Sequence, residues 1–235
     1  MSVITLTTDF GIKDHYVGSV KGALFNELEN VNIVDVSHNI SPFNIVEAAY
    51  IVENSYKNFP EGSIHIIGVD SEKTIEQSHL VIKLDNHFFI CANNGIMSLL
   101  ASKINPEKII EINIHNHKVT TFSVIDVFVK IAAHIYRGGS IDLVGNQIFK
   151  LKELYNLNPI LNEKSNEISG NVIYVDNYDN VVTNISKKTF IEFGKSRSFE
   201  INARNYIFKE IVSSYGNAIR FDIKKENRKE IGKKI

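Results

Sequence analysis

Three short apolar runs, residues 3–8, 31–36 and 63–69, alternate with two segments of helical spacing. That alternation constrains the fold more than any other feature of the chain. Residues 16–28 place Val17, Val20, Leu24 and Phe25 on one helical face. Residues 44–56, entered after Ser41-Pro42, do the same with Ile45, Ala48, Ala49 and Val52. The 63–69 run is nearly all apolar, as a strand covered on both faces must be. A hairpin is expected at 80–90, where Asp85-Asn86 parts two apolar runs. A helix at 96–103, a strand at 108–114 and a helix at 127–136, stopped by Gly138-Gly139, complete the pattern. Strand and helix in repetition predict an α/β N-terminal domain with a mainly parallel sheet.

The pattern changes near 151–166, a polar stretch containing Pro159 that reads as a linker between an α/β domain at 1–150 and a smaller β domain at 167–235. In the second domain, alternation at 170–175 and 181–185 predicts strands, with more at 197–201, 206–212 and 218–223. From 224 onward charge dominates, which predicts a mobile tail.

Composition narrows the function classes. The 235 residues carry 43% hydrophobic side chains and a formal charge of -1, so no electrostatic footprint for nucleic acid or an anionic membrane exists. No window approaches the roughly 20 apolar residues of a membrane span, and no signal peptide is visible at the start. The single cysteine, Cys91, lies in the apolar run 88–92 and reads as a buried thiol in a reducing, cytoplasmic setting.

Chemistry concentrates at the ends of the apolar runs. Thr7-Thr8-Asp9-Phe10-Gly11, with Asp14 just beyond, delivers two carboxylates where the first strand gives way to the first helix. Ligands of open parallel sheets bind outside the carboxyl ends of the strands, and acceptor-only groups suit a polyol or an ammonium. Equally, Asp9 can cap a turn and Asp14 the helix. The Asp-Phe-Gly triplet also belongs to the protein-kinase signature, but there it follows a glycine-rich loop and a strand lysine. Val69-Asp70-Ser71-Glu72 ends the third strand at the same edge as Asp9. The loop 37–43 offers Phe43, for stacking on a ligand or for stapling the next helix. Asp176-Asn177-Tyr178-Asp179-Asn180 reads as a hairpin turn; a calcium loop would need a glycine and a closing glutamate that are missing. His115 and His117 have metal-like spacing without further ligands nearby, so no metal is expected. Dinucleotide, nucleoside triphosphate and nucleophile-elbow motifs are absent.

Taken in order, Thr8-Asp9-Phe10-Gly11, Ser37-His38-x-Ile40-x-Pro42, Val69-Asp70, Asn93-Asn94-Gly95, Thr121-Phe122-x-x-x-Asp126-x-Phe128 and Asp176-x-x-x-Asn180-x-x-Thr183-Asn184-Ile185 form a specific series. It resembles the S-adenosyl-L-methionine (SAM) hydrolases, also called SAM hydroxide adenosyltransferases, which share a fold with the SAM-dependent fluorinase and chlorinase. The resemblance runs from residue 3 to about 223. It implies substitution by water at the ribose 5′ carbon of SAM, giving adenosine and methionine, with SAM as substrate and no separate cofactor. It implies that Asp9 holds the ribose diol, that Asp14 and Asp176 hold the methionine ammonium, that Phe43 packs on the ribose, and that Asn180 lies near the adenine. It further implies a homotrimer with each site shared between the N-terminal domain of one subunit and the C-terminal domain of the next.

Family hydrolases activate water with an Asp, an Arg and a His. Asp70 matches the first. Gln77 stands at the arginine position and Ser123 at the histidine position, with His79 close enough in sequence to substitute. These departures open an alternative: a protein that binds SAM or adenosine without turning it over. The β domain is also expected to lack the further strands that, in the family, complete the adenine and methionine-carboxylate contacts.

Overall fold

In the computed structural model, residues 2–102, 104–113, 121–154 and 158–218 are described. The chain divides into two compact units, Met1–Asn156 and Leu157–Ile235.

The first unit is built on a seven-stranded sheet in the order β2-β1-β3-β5-β4-β6-β7. Its strands are β1 (Val3–Thr8), β2 (Asn32–Ser37), β3 (Ile64–Gly68), β4 (His79–Leu84), β5 (His87–Ala92), β6 (Lys108–Ile112) and β7 (Gly145–Gln147). β1 pairs in parallel with β2 and β3, and β3 with β5; β4 and β7 run against the rest. The β4–β5 reversal occupies Asp85 and Asn86, both at positive φ (53° and 61°), as a two-residue hairpin that follows strand twist requires.

Period-two alternation divides the core. Ile4, Leu6, Ile64, Ile66, Val81 and Ile90 face one layer, filled by α1 (Tyr16–Glu27) and the helix α4 (Val129–Tyr136). Ile67, Val69, Leu80, Ile82, Phe89 and Cys91 face the other, filled by α2 (Ile45–Ser55) and the short α3 (Ile96–Leu100). Burial of this kind is worth about 1.5–3 kcal/mol per large apolar side chain, which is why the central strands β3 and β5 are nearly all apolar. The α2 start is fixed by Asn44, whose side chain accepts from Glu47 N at 3.1 Å.

Several elements differ from expectation. The helix expected at 96–103 ends at Leu100. The helix expected from 127 begins earlier, as a π turn over Val124–Phe128, in which the Val129 N–H donates to the Val124 carbonyl five residues back. The β7 strand was not anticipated. The strand at 108–114 spans Lys108–Ile112, and residue 114 lies outside the described residues, as do His115, His117, all but the first residue of the expected 218–223 strand, and the 224–235 tail.

Among its described residues the second unit contains three two-stranded antiparallel sheets: β8 (Ile160–Asn162) with β9 (Glu167–Ser169), β10 (Val172–Val175) with β11 (Val181–Thr183), and β12 (Ile201–Ala203) with β13 (Tyr206–Phe208). β8 falls inside the 151–166 stretch read as a linker. A helix, α5 (Lys187–Gly194), also appears where only strands were expected; Ser186 caps it by accepting from Thr189 N at 3.0 Å. Its far end explains why the strand expected at 197–201 begins only at Ile201, as β12. Arg197 donates to the Gly194 and Phe193 carbonyls at 3.0 and 2.6 Å, and so is committed to closing the helix.

Candidate active site

The parallel pairing of β1 with β3 sets Thr8 opposite Gly68, so Asp9 and Asp70 emerge from one sheet edge, where ligands of such sheets bind. The loop after β2 joins them. Asp9 Oδ2 accepts the backbone N–H of Phe43 at 2.9 Å and that of Asp70 at 3.5 Å. One carboxylate oxygen thereby ties together the ends of three strands, and Asp9 is not a local turn cap. Phe43 and Asp70 both hold positive φ, 62° and 44°. For a bulky Phe this is an outlier, and such positions cost about 1–3 kcal/mol each unless surrounding structure imposes them. The Phe43 ring is 72% exposed.

The backbone that carries Asp70 is gripped from below. Gln77 Nε2 donates to the Asp70 and Glu72 carbonyls at 2.8 and 3.0 Å. His79 Nε2 lies 3.0 Å from the Ser71 carbonyl, and Asn94 Nδ2 donates to the Val69 and Asp70 carbonyls at 3.1 and 3.3 Å. Buried carbonyls need such donors. Burial pushes the His79 ring below the ordinary histidine pKa, with the Ser71 carbonyl pulling the other way; the ring also packs edge-on against Phe128, 4.9 Å between centroids. A neutral ring with its N–H on a carbonyl supplies no positive charge. Gly95 follows at φ 104°, where a Cβ would meet Leu154 Cγ at 2.5 Å, so only glycine fits this turn.

The Thr121-Phe122-Ser123 motif arrives through aromatic packing. The rings of Phe10, Tyr16 and Phe122 meet at 5.3–5.8 Å between centroids. Ser123 starts the π turn and makes no side-chain capping bond. The next residue, Val124, lies over the end of β3: a Cβ on Gly68 would stand 3.0 Å from Val124 Cγ2 and 3.2 Å from Phe10 Cζ. Glycine at 68 lets those two side chains close down beside Asp70. The three-ring cluster and the grip of Gln77, His79 and Asn94 escaped the sequence reading, because both depend on strand register; the π turn is the kind of irregularity that recurs at functional sites.

Asp14 is exposed and does not cap α1, whose cap position is His15. Asp176 and Asn180 come together in the β10–β11 turn of the second unit. Asp176 Oδ1 accepts from Tyr178 N and Asn180 N at 2.8 and 2.9 Å, and Oδ2 from Asn180 Nδ2 at 2.7 Å. The Asn180 side-chain bond, then the backbone ones, hold the Asp176 carboxyl below its ordinary pKa. Cys91 is buried, and burial pushes its thiol far up. Among the described residues no group of three His, Cys, Asp or Glu side chains converges as a metal site, and no helix is long and apolar enough to cross a membrane.

Two carboxylates and an exposed aromatic ring stand at the strand ends of an α/β sheet covered on both faces, where ligands of such sheets bind. Comparison with known proteins specifies the class. Residues 4–145 match the SAM hydroxide adenosyltransferase N-terminal domain and residues 170–223 its C-terminal domain; the chain belongs to this family of enzymes. It is 31% identical over 193 residues to the (R)-S-adenosyl-L-methionine hydrolase of Methanocaldococcus jannaschii, covering 80% of this chain and 68% of that protein. It is 26% identical over 212 residues to the protein of that name from Thermus thermophilus, covering 84% and 81%. A crystal structure of a conserved protein from Thermotoga maritima shares the fold at a TM-score of 0.79 and 24% identity, covering 92% of this chain and 84% of that one.

Proposed function

We propose that the chain hydrolyses SAM to adenosine and L-methionine. The C5′–sulfur bond breaks with its electron pair leaving on methionine, the C5′–oxygen bond forms from water, and the water proton passes to Asp70 or solvent. A sulfonium is already a good leaving group, so the protein needs only to hold the sugar and aim the nucleophile. Asp9 is the acceptor for the ribose hydroxyls, Phe43 packs on the ribose, Asp14 and Asp176 take the methionine ammonium, and Asn180 lies by the adenine. Asp70 orients the water. Gln77 serves by fixing the backbone of Asp70, and Ser123 offers a hydroxyl where the family has histidine. SAM is the substrate, and no separate cofactor takes part.

The observation that supports this reading is the joint hold of Asp9 on Phe43 and Asp70, which brings the three residues together at one sheet edge. A homotrimer fits the second unit, which leaves Val172, Tyr178, Val181, Ile191 and Ile207 exposed, as a surface covered by a neighbouring subunit would. A cytoplasmic setting fits the lone buried thiol.

A second reading, a SAM- or adenosine-binding protein without turnover, is favoured by one observation: the Gln77 amide is spent on backbone carbonyls. Incubation of purified protein with SAM, followed by chromatography, separates the two. Adenosine and methionine in equal amounts establish the hydrolase; calorimetric SAM binding with no adenosine after long incubation establishes the binder, in which Gln77→Arg with Ser123→His should then gain turnover.

A further inference from the structure

Residues 8–11 are held by one neighbour, His38, in two ways. Its ring Nδ1 lies 2.8 Å from Thr8 Oγ1, and its backbone carbonyl accepts from Gly11 N at 2.7 Å. Thr8 Oγ1 in turn accepts from Phe10 N at 3.4 Å. The Thr8 and His38 side chains are buried, 1% and 6% exposed, so Thr8 is no nucleophile in spite of its histidine partner. The Thr8 hydroxyl, which keeps a second lone pair besides the one facing Phe10 N, shares a hydrogen bond with His38 Nδ1 whose direction follows the ring tautomer, and the other ring nitrogen is Nε2. That nitrogen faces Asp35 Oδ1 at 3.1 Å, an ion-pair distance outside hydrogen-bond alignment, and Asp35 is held on its other oxygen by Lys21 Nζ at 2.5 Å. A chain of contacts thus runs from α1 and β2 to the residue that precedes Asp9.

We propose that His38 is a positioning residue for Asp9: through Nδ1 and the Thr8 hydroxyl it fixes the end of β1, so that Asp9 Oδ2 meets the Phe43 and Asp70 amides and the carboxylate is preset for the ribose hydroxyls. This rests on the hydrolase reading for its ligand. The two ring nitrogens are separable by substitution. An Asn amide oxygen falls near the Nδ1 position and keeps the Thr8 bond; a Gln amide falls near Nε2 and loses it.

The test compares His38→Asn, His38→Gln and the isosteric Thr8→Val. Loss of one charge-assisted contact at Asp9 weakens substrate and transition state alike, so His38→Gln and Thr8→Val should raise KM for SAM by about tenfold with kcat within about threefold. His38→Asn should stay within about threefold of the parent in both. Backbone amide exchange at Phe43 and Asp70 should speed up in His38→Gln and Thr8→Val and not in His38→Asn. Equal impairment of the Asn and Gln variants, or an unchanged KM in Thr8→Val, would overturn the proposal, and should His38→Gln fail to fold, Thr8→Val carries the test alone. If the parent does not hydrolyse SAM, the hydrolase reading falls, and the amide exchange pattern still decides the positioning role.

Discussion

Gln77 donates its side-chain amide to the carbonyl oxygen of Asp70 at 2.8 Å. Gln77 is neutral, and its amide is turned onto the backbone that presents the Asp70 carboxylate. In the mechanism proposed above, water activation falls to Asp70, and Gln77 acts on the reaction through the placement of that residue.

Gln77→Ala leaves the Glu72 carbonyl without its donor and the Asp70 carbonyl with Asn94 only. Glu72 is exposed and its carbonyl can turn to water, so the loss should be near the net worth of a hydrogen bond, about 0.5–1.5 kcal/mol. The urea unfolding midpoint should fall accordingly, and kcat with it. An unchanged midpoint would show that the loop does not need the amide.

Asp70→Asn is a cleaner probe than Asp70→Ala. At φ 44° asparagine is tolerated, whereas alanine adds strain of about 1 kcal/mol or more. Asp70→Asn should lower kcat by about 10²–10⁴-fold, with the unfolding midpoint of the parent retained. Full activity in this variant would remove Asp70 from the reaction.

Acid should weaken the fold through His65. Its ring accepts or donates to Thr5 Oγ1 at 2.7 Å and to His87 Nδ1 at 3.2 Å. Burial first, and then the neighbouring His87, push its pKa from 6.5 down to about 3; burial likewise lowers His87. Between those values the unfolded chain binds the proton and the folded chain does not. Stability is then complete above pH 6.5 and declines toward pH 3, by up to about 1.4 kcal/mol per pH unit per ring. Urea midpoints at pH 7, 5.5 and 4 check the sign, and His65→Gln should flatten the slope. A midpoint that rises on acidification would contradict it.

Halide should not replace water. A halide at the nucleophile position would lie near Asp70, and two unit negative charges about 4 Å apart repel by roughly 4 kcal/mol at an effective dielectric of about 20. Val124, beside this edge, offers no hydroxyl in compensation. Incubation with SAM and chloride or fluoride should give no 5′-haloadenosine; its detection would refute the argument.

The sheet was legible because strands covered on both faces must be continuously apolar, and runs such as 63–69 show it. The β4–β5 hairpin was legible because Asp85 and Asn86 tolerate the left-handed backbone. Asp9, Phe43 and Asp70 were nominated by their positions after strands, whereas their mutual hydrogen bonds depend on loop paths that no local pattern encodes. The same holds for Gln77, His79 and Asn94, whose targets are carbonyls made neighbours by register. Helix α5 was missed because Ser186 and Thr189 form a cap without a long apolar face, and Arg197 was read as strand where its side chain closes a helix.

The central claim is that water attacks the ribose 5′ carbon. Turnover of SAM in water enriched in heavy oxygen, with mass analysis of both products, tests it directly. The account predicts one heavy oxygen in the 5′ hydroxyl of adenosine and none in methionine. Adenosine without the label, or no adenosine at all, would contradict it.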